Sequence, residues 1–95
     1  MIRNVTLMRF KEGTSPDRID ELAVAMRGLR IDGMRELTMG RDVGLRDSNM
    51  DWAVVADFDD VEAYRAYDSD AEHNRIRREL VGPIAERIER CQFEL

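Results

Sequence analysis

The segment Trp52–Phe58 constrains the fold more than any other part of the chain. It reads WAVVADF, a short and largely apolar run with two adjacent valines at its centre. β-Branched and aromatic residues in so short a run are typical of a strand in the interior of a sheet. The sequence therefore predicts a central strand, which requires neighbouring strands and a layer packed against them.

Further strands and a helix precede this central strand. Residues 2–10 and residues 34–43 both alternate in the manner of strands. Between these segments, Ser15 is placed as an N-cap and Pro16 as the first helical residue, and an apolar stripe at helical spacing follows them. We expect this helix to run to about residue 30.

Two helices and a last strand follow the central strand. The pair Asp59-Asp60 is expected to cap the first helix, and Asp70 to cap a second helix over residues 71–81. Gly82-Pro83 ends that helix, and a brief helical turn leads to a last strand near residues 88–94. The order β-α-β-β-α-α-β predicts an α+β, ferredoxin-like fold, in which a split β-α-β unit forms a four-stranded antiparallel sheet covered by helices on one face.

A sheet covered on one face needs a partner for the other. We expect residues 1–95 to form one domain, because a chain of this length holds a single core. Several side chains on the face of the first and third strands that is expected to be open are large and apolar. The positions assigned to this face are Asn4, Thr6, Met8, Phe10, Trp52, Val54, Ala56 and Phe58. A monomer rarely exposes so large an apolar patch, so we predict a homodimer in which two sheets close into a dimeric α/β barrel. So small a core has little space for a pocket, which places any cavity against this open face, completed by the second copy.

Composition excludes several classes of function. Twenty acidic residues against fifteen basic ones give a net charge of −5, which argues against nucleic acid as a partner. No stretch approaches the roughly 18 apolar residues of a membrane span, and arginines interrupt the first apolar run, so we expect a cytoplasmic protein without membrane contact. The single cysteine, Cys91, cannot form an internal disulfide and is expected to be a small buried group. We expect neither a metal nor a cofactor, because no ligand spacing or phosphate-binding loop is present.

The one histidine, His73, is the strongest candidate for chemistry. An imidazole titrates at about pH 6.5 and acts as a general acid or base when it faces a pocket. Tyr67 is placed across the turn from it, where its hydroxyl can donate a hydrogen bond to a substrate oxygen, and Tyr64 competes for that role. Alternatively, His73 is a surface or interface residue and one of the tyrosines belongs to the core. The candidate ligand contacts are the strand positions Asn4, Thr6, Met8, Trp52 and Val54, together with Tyr64.

Taken in order, several segments resemble a known family over nearly the whole chain. These segments are Met1–Thr14, Met39–Val43, Trp52–Phe58 with the following Asp59-Asp60, Tyr67–His73 and Leu80–Ile84. Their order and spacing resemble the stress-responsive dimeric α/β-barrel domain proteins, called Dabb proteins. The resemblance implies a ferredoxin-like protomer and a homodimer closed into a barrel. We expect this homodimer to bind a small apolar or aromatic molecule between the sheet and the helices.

The family also implies a possible reaction. One plant branch is similar to a polyketide cyclase that closes an aromatic ring by an intramolecular aldol reaction, using a tyrosine and a histidine, and these roles fall by position on Tyr67 and His73. The histidines that the family commonly places on its first and third strands are replaced here by Asn4 and Trp52, and its usual His-Pro pair by Asp70-Ala71.

Three functions stay open at this point. The first is a stress-linked dimeric barrel that binds a small molecule without robust catalysis. The second is a cofactor-free acid–base enzyme acting on a polyketide-like or aromatic substrate, with His73 as the base and Tyr67 as the oxyanion donor. Related dimeric barrels that form quinones as cofactor-free monooxygenases are a variant of it. The third is an interaction module within a larger assembly.

Overall fold

The computed structural model describes residues 1–95 and has the predicted ferredoxin-like order of elements. The elements are strand β1 (Ile2–Phe10), helix α1 (Pro16–Arg27), strands β2 (Met34–Arg41) and β3 (Trp52–Phe58), helices α2 (Val61–Ser69) and α3 (Ala71–Ile76), a π-helical turn (Arg77–Val81) and strand β4 (Ala85–Glu94). None of these helices is long and apolar enough to cross a membrane.

The predicted helix caps are present. The Ser15 hydroxyl accepts a hydrogen bond from the Arg18 backbone N–H at 3.4 Å, and Pro16 follows as the first helical residue. The carboxylates of Asp60 and Asp70 cap α2 and α3 in the same way, each at 2.9 Å. Each cap satisfies a backbone N–H that has no partner inside its helix, which fixes where the helix begins.

Several predicted boundaries were wrong. Helix α1 stops at Arg27 because Gly28 forms its C-cap, and β2 stops at Arg41. The helix expected over residues 71–81 is α-helical only to Ile76 and then widens into the π-helical turn. No helical turn precedes β4, which begins at Ala85 directly after a turn at residues 82–84.

The four strands form one antiparallel sheet in the order β2-β3-β1-β4. Strand β3 is interior, as predicted, and pairs with β1 from Ile2 opposite Phe58 to Met8 opposite Trp52. Strand β4 lies on the other side of β1, with Thr6 opposite Arg90. Because directly opposed residues point to the same side of an antiparallel sheet, this register decides which side chains share a face.

The predicted open face is in fact the face that the helices cover. Asn4, Met8, Trp52, Val54, Ala56 and Phe58 are all buried, and the apolar ones form a single core with Leu22, Met26 and Ile76 of the helices. Both faces of β1 and β3 carry apolar groups, so alternation by itself does not say which set is covered. The helices present a continuous apolar stripe, and the set with the larger side chains packs against it because that burial removes more apolar area from water.

The alternate residues form the true open face. It combines apolar positions with charged ones: Arg3, Val5, Leu7, Ala53, Val55, Asp57, Cys91 and Phe93. Leu7 and Phe93 are 37% and 46% exposed, and Cys91 is exposed rather than buried as predicted, because β4 places it beside Val5 on this uncovered side. The Arg3 guanidinium donates to both carboxylate oxygens of Asp57, at 2.7 and 2.9 Å, which lowers the pKa of Asp57.

Gly33 fixes the approach of β2 to helix α2. Its φ is +85°, and a Cβ added there would lie 2.6 Å from the Cβ of Ala63. We expect Gly33→Ala to lower the free energy of unfolding by about 2–4 kcal/mol in urea titrations, since it combines left-handed strain with a steric clash.

Gly13→Ala is the matched control for this substitution. Gly13 has a φ of +81° but no atom within 4 Å of the added Cβ. Only the backbone strain of about 1–2 kcal/mol is expected there. Equal losses in the two variants would show that the close contact with Ala63 contributes nothing.

Candidate functional site

The break between α2 and α3 at Asp70 builds the candidate site. Asp70 is extended, with φ −60° and ψ 133°, so it ends one helix and caps the next. Its backbone N–H donates to the Tyr67 carbonyl at 3.3 Å, and its carboxylate accepts from the His73 backbone N–H at 2.9 Å. The first turn of α3 is thereby folded back onto the last turn of α2, which brings His73 against Tyr67.

The rings of Tyr67 and His73 are stacked, with centroids 3.9 Å apart and planes inclined by 30°. The His73 Nδ1 lies 2.8 Å from the Tyr67 carbonyl oxygen. Because a carbonyl oxygen only accepts, Nδ1 must carry the hydrogen in this contact. The neutral ring therefore has a free lone pair on Nε2, which can accept a hydrogen bond or a proton.

Burial keeps both rings uncharged. His73 and Tyr67 are each only 4% exposed. Burial lowers the pKa of His73 below its ordinary value, an effect that exceeds the opposing hydrogen bond to the Tyr67 carbonyl. Burial also raises the pKa of Tyr67 to about 12. Near pH 7 the pair therefore combines a neutral acceptor nitrogen with a neutral hydroxyl donor.

A cavity of about 230 Å³ lies beside this pair, between the sheet and the helices of one protomer. All eight residues named from the sequence as catalytic or ligand-binding line it: Asn4, Thr6, Met8, Trp52, Val54, Tyr64, Tyr67 and His73. The expectation of a cavity against the open face was wrong, because these strand residues point toward the helices. A second copy on the open face would therefore not line this cavity.

Two side-chain atoms at the cavity lack a partner within the protomer. The Tyr67 hydroxyl and the His73 Nε2 make no hydrogen bond there, although no fully buried side-chain nitrogen or oxygen lacks one. Both atoms are therefore at the cavity surface, accessible to a small molecule. No group of three His, Cys, Asp or Glu side chains is placed to hold a metal ion.

The floor of the cavity carries a short chain of hydrogen bonds. The Gln92 Nε2 donates to the Asn4 Oδ1 at 2.7 Å, and the Asn4 Nδ2 donates to the Thr6 Oγ1 at 3.4 Å. Asn4 thus has protein partners for both ends of its amide, which makes it a positioning residue for Thr6.

Apolar residues on the helices and the sheet complete the wall. Phe58 does not line the cavity but packs behind the pair, with its ring centroid 5.0 Å from that of Tyr67. Trp52 does line it and lies against Phe10 at a centroid distance of 6.2 Å. Trp52 and Met8 therefore bound the space without filling it.

Sequence reasoning missed several residues of the cavity. They are Leu22, Met26, Arg77, Val81, Gly82, Ile88 and Arg90. From the sequence, Leu22 and Met26 are assigned only to the apolar stripe of the first helix. The alternation of β4 contains a signal for Ile88 and Arg90, since they share a face with Gln92 and lie opposite Met8 and Thr6.

Solved structures with the same fold cover almost the whole chain. A dimeric ferredoxin-like protein of unknown function from Thermobifida fusca is 30% identical, with a TM-score of 0.91 over 99% of this chain and 90% of that one. A protein of Arabidopsis thaliana is 22% identical, with a TM-score of 0.87 over 100% and 95% of the two chains. The hydroxynitrile lyase of Passiflora edulis is 20% identical, with a TM-score of 0.86 over 99% and 92%.

The family assignment rests on a family model rather than on a characterised relative. No curated protein sequence matches this chain. The model of the stress responsive A/B barrel domain matches residues 2–95, which confirms the resemblance seen in the sequence. The chain belongs to the stress responsive A/B barrel domain family, Dabb.

Proposed function

We propose that this protein is a homodimer that binds a small apolar or aromatic molecule in the cavity between its sheet and its helices. One observation supports this proposal above the others. An apolar and aromatic wall leads to two unpaired, uncharged polar atoms, the Tyr67 hydroxyl and the His73 Nε2. Ligand sites in proteins commonly combine such a wall with a few convergent polar groups.

The size of the cavity limits the ligand. Its volume of about 230 Å³ exceeds the roughly 150 Å³ that accommodates benzene in an engineered apolar cavity. It is smaller than the roughly 300–1,000 Å³ of pockets for drug-sized ligands. A single six-membered ring with a short substituent therefore fits better than an extended polyketide chain.

The open face of the sheet supports the dimer. The protomer has an accessible surface of 6180 Å², and a monomer of this mass has about 5,600 Å² by the usual scaling. The surface is larger than expected because the protomer is flat, with extents of 36 × 27 × 17 Å and helices on one side of the sheet only. Structural neighbours from Thermobifida fusca and Bacteroides fragilis are described as dimeric. Packing two open faces together would bury Leu7 and Phe93.

A second candidate function is cofactor-free acid–base catalysis. The orientation of His73 favours it, since the Tyr67 carbonyl holds the hydrogen on Nδ1 and leaves Nε2 free at the cavity. In an aldol ring closure, Nε2 removes a proton from carbon next to a carbonyl, and the C–H electron pair forms an enolate whose oxygen accepts a hydrogen bond from Tyr67. The enolate carbon bonds to a second carbonyl carbon of the same molecule, and the resulting alkoxide takes the proton back from Nε2.

Tyr67 and His73 also suit a cleavage reaction on a smaller substrate. One structural neighbour is a hydroxynitrile lyase. In a cleavage of that kind, Nε2 takes the hydroxyl proton, the C–O bond becomes a carbonyl, and the bond to the nitrile carbon breaks. The departing cyanide then receives the proton from the imidazolium. A one-ring hydroxynitrile matches the volume of the cavity better than a polyketide does.

Substitution on the open face tests the dimer. We expect the wild-type chain of 11.0 kDa to have twice that mass by light scattering at micromolar concentration. Leu7→Glu should give a folded monomer, because it places a charge in the apolar interface. Val24→Glu, on the exposed side of α1, should leave the dimer intact. A wild-type monomer, or a Leu7→Glu dimer, would contradict the proposed interface.

Ligand binding can be measured through Trp52, the single tryptophan, which lines the cavity. We expect phenylacetamide to change its fluorescence saturably, with a dissociation constant in the millimolar range for so small a ligand. Val54→Phe should fill the cavity and weaken binding at least about tenfold, since the added ring occupies the ligand's space. Val24→Phe, on the outer surface of α1, should bind as the wild type does. Unchanged affinity in Val54→Phe would place the ligand elsewhere.

Proton abstraction can be followed by the exchange of hydrogen for deuterium next to the carbonyl of phenylacetone. The rate should rise with pH through the lowered pKa of His73 and stay level above it, because only the neutral ring accepts a proton. His73→Asn keeps a donor for the Tyr67 carbonyl but has no base, and should reduce the rate by about 100-fold or more.

Glu72→Gln provides the control for that measurement, because Glu72 lies on the exposed side of α3 outside the cavity. It should exchange at the wild-type rate. Exchange that survives in His73→Asn, or that begins only well above pH 7, would eliminate His73 as the base while leaving simple binding possible.

A further inference from the structure

The rim of the cavity carries an arginine that has no acidic partner. Arg90 lines the cavity and forms neither a salt bridge nor a side-chain hydrogen bond within the protomer. The other arginine of the cavity, Arg77, is already bound, because its guanidinium donates to the Asp68 carboxylate at 2.7 Å and to the Asp68 carbonyl at 2.9 Å. In a chain with 20 acidic residues, the cavity therefore offers one guanidinium whose five donors are available to a ligand.

The Thr6 hydroxyl lies next to this guanidinium, and its oxygen already accepts a hydrogen bond, which leaves its hydrogen to donate. Thr6 is directly opposite Arg90 in the β1–β4 pairing, so their side chains share a face as close neighbours. Gln92 donates to Asn4 and Asn4 donates to the Thr6 oxygen, which leaves the Thr6 hydrogen free to donate elsewhere. The hydrogen-bond chain along the cavity floor thus ends in a donor beside Arg90.

The charge of Arg90 reaches the interior of the site. Its positive charge acts on the Tyr67 hydroxyl and partly offsets the effect of burial on the pKa of that residue. Arg90 also lies on the helix-covered side of β4, since it pairs with Thr6 rather than with Leu7. A dimer formed through the open face would therefore not supply an acid for it.

We propose that the ligand of this cavity is a small aromatic carboxylate, whose ring occupies the apolar chamber and whose carboxylate is bound by Arg90 and the Thr6 hydroxyl. This proposal rests on the proposed binding function and adds the charge of the ligand to it. A planar carboxylate accepts two parallel hydrogen bonds from a guanidinium, which a neutral amide cannot reproduce. The far end of the ring then lies toward Tyr67 and His73.

A matched pair of ligands tests the charge directly. Phenylacetate and phenylacetamide have nearly the same shape and differ in charge, and Trp52 reports the binding of both. At pH 7 and low salt we expect phenylacetate to bind roughly tenfold more tightly than phenylacetamide, as is usual for a charge-assisted hydrogen bond. Because Arg90 is exposed at the rim, this preference should decrease as salt is added.

Variants identify the group responsible. Arg90→Gln should remove the preference by weakening the binding of phenylacetate far more than that of phenylacetamide, whereas Arg90→Lys should retain part of the preference. Thr6→Val should reduce the preference several-fold through loss of one donor. Arg18→Gln, on the exposed side of α1 and outside the cavity, should bind both ligands as the wild type does. Thermal unfolding of each variant verifies that it is folded.

The outcomes separate this inference from the function on which it rests. If phenylacetamide binds and phenylacetate binds no more tightly, the proposed carboxylate site at Arg90 is refuted, whereas the proposed binding of an apolar ligand is retained. A preference that persists in Arg90→Gln also overturns the inference, because the anion is then held elsewhere. If neither ligand binds, both proposals fail together.

Discussion

The hydrogen bond from the His73 ring to the Tyr67 carbonyl is the contact on which the site depends. It exists because Asp70 interrupts the helix, so that the Tyr67 carbonyl accepts only a long 3.3 Å bond from the backbone and is also open to the His73 side chain. One short bond then sets three properties together: the stacking of the two rings, the hydrogen on Nδ1, and the exposure of Nε2 to the cavity. In an uninterrupted helix, residues six positions apart lie on different sides, so Tyr67 and His73 would not make this contact.

Much of the fold and of the site was predictable from the sequence. Strand β3 was identified by its valine-rich run, and the helix starts by Ser15, Asp60 and Asp70, because caps and β-branched runs are local signals. All eight candidate residues line one cavity, and for Tyr67 and His73 the signal is local, because the two lie on either side of a capped break at Asp70.

The remaining features depend on contacts between distant segments. Strand alternation separates two sets of residues, but it does not say which set the helices cover when both are partly apolar, as in β1. Arg90 was missed because its importance comes from its position opposite Thr6, 84 residues away in the chain. The π-helical turn at Arg77–Val81 follows no breaker residue, and nothing in its sequence distinguishes it from an ordinary α-helical turn.

Alternation along β1 has an evolutionary consequence. Its even-numbered residues Asn4, Thr6 and Met8 line the cavity, while the odd-numbered Val5 and Leu7 lie on the uncovered side. Substitutions at one set can therefore change the lining of the cavity without altering the surface at the other. A single inserted or deleted residue would exchange the two sets along the strand, because the side-chain period is two. A point substitution in this strand thus alters one face at a time, whereas a change in its length would disturb both faces at once.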